Sequence, residues 1–214
     1  MLLDDALRTK PTLHGQRVVL RPLGPEHAEV VWHSLADPEI RRLTGTHTEF
    51  RRDQIDAWLA DRSEHDDRLD CAIHRRTDDF YLGELALIDL DPANETVGLR
   101  IALTSTEVTG KGYGSDAMRT ILTHAFDTVG IHRVYLDVYA FNTHAVRTYE
   151  RLGFTHEGRA RDALLWDGVR HDAMLMSILR PEWKAAQGRP ATTSDATTAA
   201  RSQPAPDQGN QQPR

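Results

Sequence analysis

Apolar residues fall along this chain in two periods, and the changes of period mark out its elements. The run Arg17–Arg21 (RVVLR) reads as a strand, and Gly24-Pro25-Glu26 then opens a helix, Pro25–Leu35, because proline suits the first helical position and an acid there suits the helix dipole. Asp37-Pro38 is a second start signal. In Asp53–Arg62 the residues Ile55, Trp58 and Leu59 recur at helical spacing and stripe one face. The middle of the chain changes character: Leu69–His74, Tyr81–Asp89 and Thr96–Leu103 are short apolar runs joined by polar connectors of a few residues, which can link only antiparallel neighbours.

Helical spacing returns at Gly112–Val129, with Ala117, Met118, Ile121, Leu122, Ala125 and Phe126 on one face and Gly130 placed for a left-handed cap. Strand Arg133–Val138 follows. Asn142 then caps a helix carrying Ala145, Val146, Tyr149 and Leu152, which ends at Gly153. A final hairpin turns at Asp167-Gly168, with Ala173–Leu179 as its return strand. The predicted order is βααβββαβαββ, an α+β domain with a mixed sheet. Residues 189–214 hold no Leu, Ile, Val, Met, Phe, Tyr or Trp and are rich in Pro, Thr, Ala and Gln, so a domain over 1–188 with a disordered tail is expected.

Composition narrows the chemistry. The net charge of −6 argues against nucleic acid as the main partner and favours cationic small molecules or peptides. Cys71 is the single cysteine, so neither an internal disulfide nor a cysteine-based zinc site is available. The eleven histidines include no i, i+4 pair with an accompanying acid, and no metal site is expected. No apolar run is long enough to cross a bilayer, and the opening MLLDDALRTK has acids where a secretory leader carries bases; a cytoplasmic protein with no membrane contact is the expectation.

The segment Thr109-Gly110-Lys111-Gly112-Tyr113-Gly114-Ser115 carries the most information. Alternate glycines lead into the first turn of an amphipathic helix, where free backbone N–H groups and the positive end of the helix dipole can hold a diphosphate. Two phosphate-binding patterns compete. Gly112-x-Gly114-x-x-Ala117, with Asp137 at the end of the next strand, fits a dinucleotide fingerprint. Against it stand the long polar loop after Leu103, the hairpins before it, and too little chain for a second nucleotide half. A Walker loop is excluded because Lys111 precedes Gly112 and no Ser or Thr follows a Gly-Lys pair.

This glycine segment, followed by a helix, a strand and then Asn142-x-x-Ala145-x-x-x-Tyr149-x-x-x-Gly153-Phe154, resembles the GNAT superfamily of acyl-CoA-dependent N-acetyltransferases, most closely its RimJ/RimL-like branch. The resemblance spans roughly Gln16 to Trp183. It departs from the family pattern at Thr109, where Gln or Arg is usual. It implies a GNAT fold whose fourth and fifth strands, here Thr96–Leu103 and Arg133–Val138, splay apart to admit the pantetheine arm of acetyl-CoA. Backbone groups near Leu103 and Thr104 would face pantetheine, and N–H groups from Gly110 to Ser115 would hold the diphosphate, with Thr109 and Asn142 also at the cofactor.

The resemblance further implies an acid on the strand after the cradle helix as general base and a tyrosine twelve residues later as general acid; Asp137 and Tyr149 stand at that spacing. Glu84 is the rival base, because its strand is apolar on both faces and a carboxylate there needs a partner or a task. His171-Asp172 is a candidate edge of the acceptor pocket. The expected activity is transfer of acetyl from acetyl-CoA to a primary amine, such as a protein N-terminal amine or a polyamine, by direct attack in a ternary complex within a monomer or homodimer. A fold that binds CoA without turnover and a dinucleotide-binding protein are the alternatives.

Overall fold

The computed structural model describes residues 7–187; the tail expected over 189–214 lies outside them. The strands are β1 (Leu13–His14), β2 (Val18–Pro22), β3 (Leu69–Arg75), β4 (Tyr81–Asp91), β5 (Thr96–Leu103), β6 (Arg133–Tyr139), β7 (Thr155–Trp166) and β8 (Val169–Leu179). They form one sheet in the order β1-β2-β3-β4-β5-β6-β8-β7. Every pairing is antiparallel except β5 with β6. A doubly wound dinucleotide fold needs successive parallel βαβ units, so this topology removes that alternative.

Helices cover both faces. On one lie α1 (Ala28–Ser34, entered through a 3-10 turn at Pro25–His27), α2 (Pro38–Thr44) and α3 (Arg52–Ala60), where Val31, Ile55 and Leu59 pack on Ala72 and Tyr81. Asp37 starts α2 by accepting the N–H groups of Glu39 and Ile40, as its place before Pro38 predicts. On the other face α4 (Tyr113–Thr123) and α5 (Thr143–Leu152) close the main core, with Met118, Ile121, Leu122 and Leu152 against Leu20, Leu85, Val97 and Val134. The long helix expected over Gly112–Val129 divides: from His124 to Val129 it widens into a π-helix before Gly130 ends it at φ 92°. The terminal helix α6 (Arg180–Gln187) seats Trp183 against Phe126, with ring centroids 5.9 Å apart.

Two irregularities in the sheet place the functional groups. First, β5 and β6 pair only at Thr96, Val97 and Gly98, opposite Arg133, Val134 and Tyr135. Beyond that β5 stays with β4 as far as Leu103, and β6 stays with β8 as far as Tyr139, so an open seam runs between them. Second, β4 is irregular against β3 between Ile73 and His74, opposite Gly83. Gly83 sits at φ 146°, and a Cβ there would run into the Ala102 carbonyl, so only glycine fits. The irregularity resets the alternation of β4, and Tyr81 and Glu84 share the face that carries α1–α3.

Candidate active site

The residues before α4 form a backbone cradle. A 3-10 turn, Thr106–Val108, leads to Gly110 at φ 71° and Gly112 at φ 84°, left-handed conformations that a side chain would strain. Gly112 is the N-cap of α4, so the N–H groups of Tyr113, Gly114 and Ser115 have no partner within the helix. The first-turn acid Asp116 is turned away, accepting backbone N–H groups from Gln16, Arg17 and Val18 at 3.3, 2.7 and 3.1 Å. Its oxygens are thus spent on the start of β2 and leave the helix-mouth N–H groups uncapped. From the other side the Arg17 guanidinium donates to the Lys111 carbonyl at 2.9 Å and braces the loop.

Two of the residues expected at the cofactor have other work. Thr109 donates both its N–H and its hydroxyl to the Thr106 carbonyl, at 3.2 and 2.7 Å, and so shapes the loop without offering a donor. Thr104 donates its N–H to Leu82 across the β4 edge. Because main-chain groups alternate sides along a strand, the neighbouring Leu103 turns its N–H and C=O into the seam. Asn142 caps α5 by accepting the Ala145 N–H at 3.2 Å.

Of the three ionisable groups expected to move protons, Asp137 lies on β6, Glu84 on β4 and Tyr149 on α5. Tyr149 reaches from α5, buried, its ring 5.8 Å from that of Phe154. Its hydroxyl has no hydrogen-bond partner among the described residues. Burial, and then the nearby Asp137 carboxylate, push this phenol up to about 12. Asp137 itself is exposed on β6. Glu84 differs: its residue keeps a partly accessible edge, but Oε2 is fully buried and unpaired, and burial followed by the charge of Asp70 raises the carboxyl to about 7 against an opposing pull from Arg68. Glu84 lies directly opposite Ala102 of β5, one strand from the seam.

Tyr81, which the sequence did not single out, belongs with Glu84. Its hydroxyl is also buried without a partner, and burial and the Glu84 carboxylate both hold its proton on. The end of β6 is aromatic: Tyr139 stacks on Phe141 at 5.7 Å, Arg42 of α2 lies 4.5 Å from the Phe141 centroid, and His171 stands edge-on to that ring at 4.8 Å. Asp172 beside it is held by Arg159 and the Asp162 N–H. A cavity of about 760 Å³ opens elsewhere, between β1, α4 and α6, bordered by His14, Arg119 and Trp183; none of the seam residues line it. No cluster of three potential metal ligands occurs among the described residues, and no described helix is long and apolar enough to cross a membrane.

Comparison with known proteins agrees with this geometry. Residues 17–155 match the model of the Acetyltransferase (GNAT) domain, and the chain belongs to that family. The SPbeta prophage-derived uncharacterized N-acetyltransferase YokL of Bacillus subtilis is 26% identical over 81% of this chain and 96% of its own length. The spermidine N(1)-acetyltransferase of Escherichia coli K12 is 25% identical over 66% and 72%. Among solved structures, spermidine N-acetyltransferase from Vibrio cholerae in complex with CoA and spermine superposes with a TM-score of 0.72, covering 78% of this chain and 98% of that one at 21% identity, a likeness of fold. The protein is therefore an acetyl-CoA-dependent N-acetyltransferase of GNAT type.

Proposed function

We propose that the enzyme transfers acetyl to a primary amine by direct attack in a ternary complex, with Glu84 as general base and Tyr149 as general acid. The observation that carries this is the buried, unpaired Glu84 Oε2 one strand from the seam. An uncompensated buried carboxylate costs stability, a cost that a catalytic task explains, and a value about 7 suits a base working near neutrality. In this reading the cradle N–H groups from Gly110 to Ser115 hold the diphosphate, and Leu103 pairs with the pantetheine arm along the seam. Acetyl-CoA supplies the thioester, and Leu103 turns its N–H toward the arm that carries it.

The proton balance runs through two side chains. The ammonium gives one proton to Glu84, and the freed amine attacks the thioester carbonyl. As the C–S bond breaks, the Tyr149 hydroxyl, still protonated at neutral pH because burial and Asp137 hold its proton, gives that proton to the departing sulfur. The second proton of the attacking nitrogen, cationic after attack, leaves as the amide forms and restores the Tyr149 hydroxyl. Asp137 thus acts on Tyr149 by its charge. The exposed position of Asp137 gives it no comparable pressure to serve as base.

The base also bears on the acceptor. A carboxylate titrating about 7 falls roughly one unit short of an α-ammonium near ~8, but roughly three short of a lysine-like ammonium near ~10.4. That match and the RimJ/RimL-like motifs favour an α-amine, such as a protein N-terminus; the named relatives make polyamine the second class to test. A panel of peptides, spermidine, amino acids and aminoglycosides assayed by CoA thiol release decides it. Peptide-dependent release above that of spermidine supports the α-amine, and the reverse order overturns it.

A further inference from the structure

On the β2–β3 side of the cradle a cavity of about 470 Å³ is lined by Gln16, Arg17, Arg75, Arg76, Thr77 and Tyr113. Three of the six are arginines and none is an acid, in a chain whose net charge is −6. Arg75 is already paired with Asp78 through two bonds of 2.7 Å. The other two keep most of their donors. Arg17 gives Nη1 to the Lys111 carbonyl, and Arg76 gives Nη1 to the Gly15 carbonyl at 3.1 Å. A guanidinium has five N–H donors in a planar fork that matches phosphate oxygens. The proposed chemistry uses none of these donors.

The cavity and the cradle share a wall. Tyr113 is the first residue of α4, so its N–H faces the cradle while the residue lines the cavity. Arg17 Nη1 lies 3.6 Å from where a Cβ on Gly112 would stand. An anion held here is therefore a near neighbour of the diphosphate, and coenzyme A carries a further phosphate on its ribose, one sugar away. We propose that this cavity takes the ribose 3′-phosphate of acetyl-CoA, gripped by Arg17 and Arg76. The inference rests on the reading of the cradle as the diphosphate site and adds what the enzyme recognises beyond it.

The test is calorimetric binding of CoA and of 3′-dephospho-CoA to the wild-type protein and to Arg76→Gln. Arg76 makes one surface bond, and a matching melting temperature verifies that the variant is folded; Arg17→Lys, which keeps the charge but loses the fork, serves as the second variant. The expected result is that the wild type binds CoA about tenfold or more tightly than dephospho-CoA, a preference that shrinks as salt is raised. In Arg76→Gln the two ligands come within about twofold, with dephospho-CoA affinity unchanged. Equal binding of both ligands by the wild type overturns the inference and leaves the cradle intact. So does an equal loss for both ligands in the variants, which places the arginines at the diphosphate or the loop. Binding of neither ligand by the wild type overturns the cradle reading itself, and this inference with it.

Discussion

Asp116, in the first turn of α4, accepts the Arg17 N–H at 2.7 Å although 99 residues separate them in sequence. The same carboxylate takes the N–H groups of Gln16 and Val18, so one side chain ties the start of β2 to the mouth of the cradle. Its packing is tight at Gly15, where a Cβ would lie 2.5 Å from Asp116 Oδ2. Asp116→Ala strands these amides and frees the loop. We expect a loss of about 1–3 kcal/mol in urea unfolding, with weaker CoA binding, whereas a surface change such as Arg119→Ala stays within about 0.5 kcal/mol.

Gly83 holds the irregularity that puts Tyr81 and Glu84 on one side of β4. Gly83→Ala forces a Cβ onto the Ala102 carbonyl and a left-handed φ onto alanine. Backbone on both sides of the clash prevents easy relief. The expected cost exceeds about 2 kcal/mol, against about 1 kcal/mol for Gly112→Ala, whose Cβ meets only the tip of Arg17 at 3.6 Å. Denaturant midpoints of the two variants check the order.

Tyr149→Phe removes the acid and keeps the ring on Phe154. Because a phenol pushed to about 12 is a weak donor to a thiolate, its contribution falls at or below the low end for general acids. The account expects kcat to drop about 10- to 100-fold with the KM for amine little changed. Unchanged amine-dependent thiol release would remove Tyr149 from the mechanism.

Glu84 also makes stability depend on pH. Its carboxyl titrates about 7 in the fold and near 4.5 when unfolded, so between those values the folded state binds more protons and unfolding becomes easier as pH rises. Below about pH 4.5 the effect vanishes. Glu84→Gln, which carries no charge to bury, should therefore gain on the wild type by on the order of 1–3 kcal/mol at pH 8 and by little at pH 4. Urea unfolding at the two pH values measures the difference.

Elements governed by local backbone chemistry are legible in the sequence alone. Asp37 and Asn142 cap helices, Gly130 and Gly153 end them in left-handed conformations, and Asp167-Gly168 turns the last hairpin with positive φ at both residues. The three central strands and the cradle belong to the same group, since a left-handed backbone asks for glycine. Features decided by contact between distant segments are not. The two-residue strand β1 exists only by pairing with β2, and the π-helix at His124–Val129 keeps the apolar stripe of the α-helix before it. Helix α6 follows the last predicted strand, and although Pro181 in its first turn is a start signal, Trp183 docking on Phe126 fixes it. In the site, Glu84 stood out as a carboxylate in an apolar strand, but Tyr81 reads as one more core aromatic until the irregularity at Gly83 turns it to the same side.

The assignment of the base is tested most directly by the pH dependence of kcat/KM for wild type, Glu84→Gln and Asp137→Asn, followed by amine-dependent release of CoA thiol. The account predicts an activity that rises through about pH 7 in the wild type and keeps that limb in Asp137→Asn; Glu84→Gln is slowed and loses it. If the limb survives in Glu84→Gln and disappears in Asp137→Asn, the proton is taken on β6 and the central claim fails.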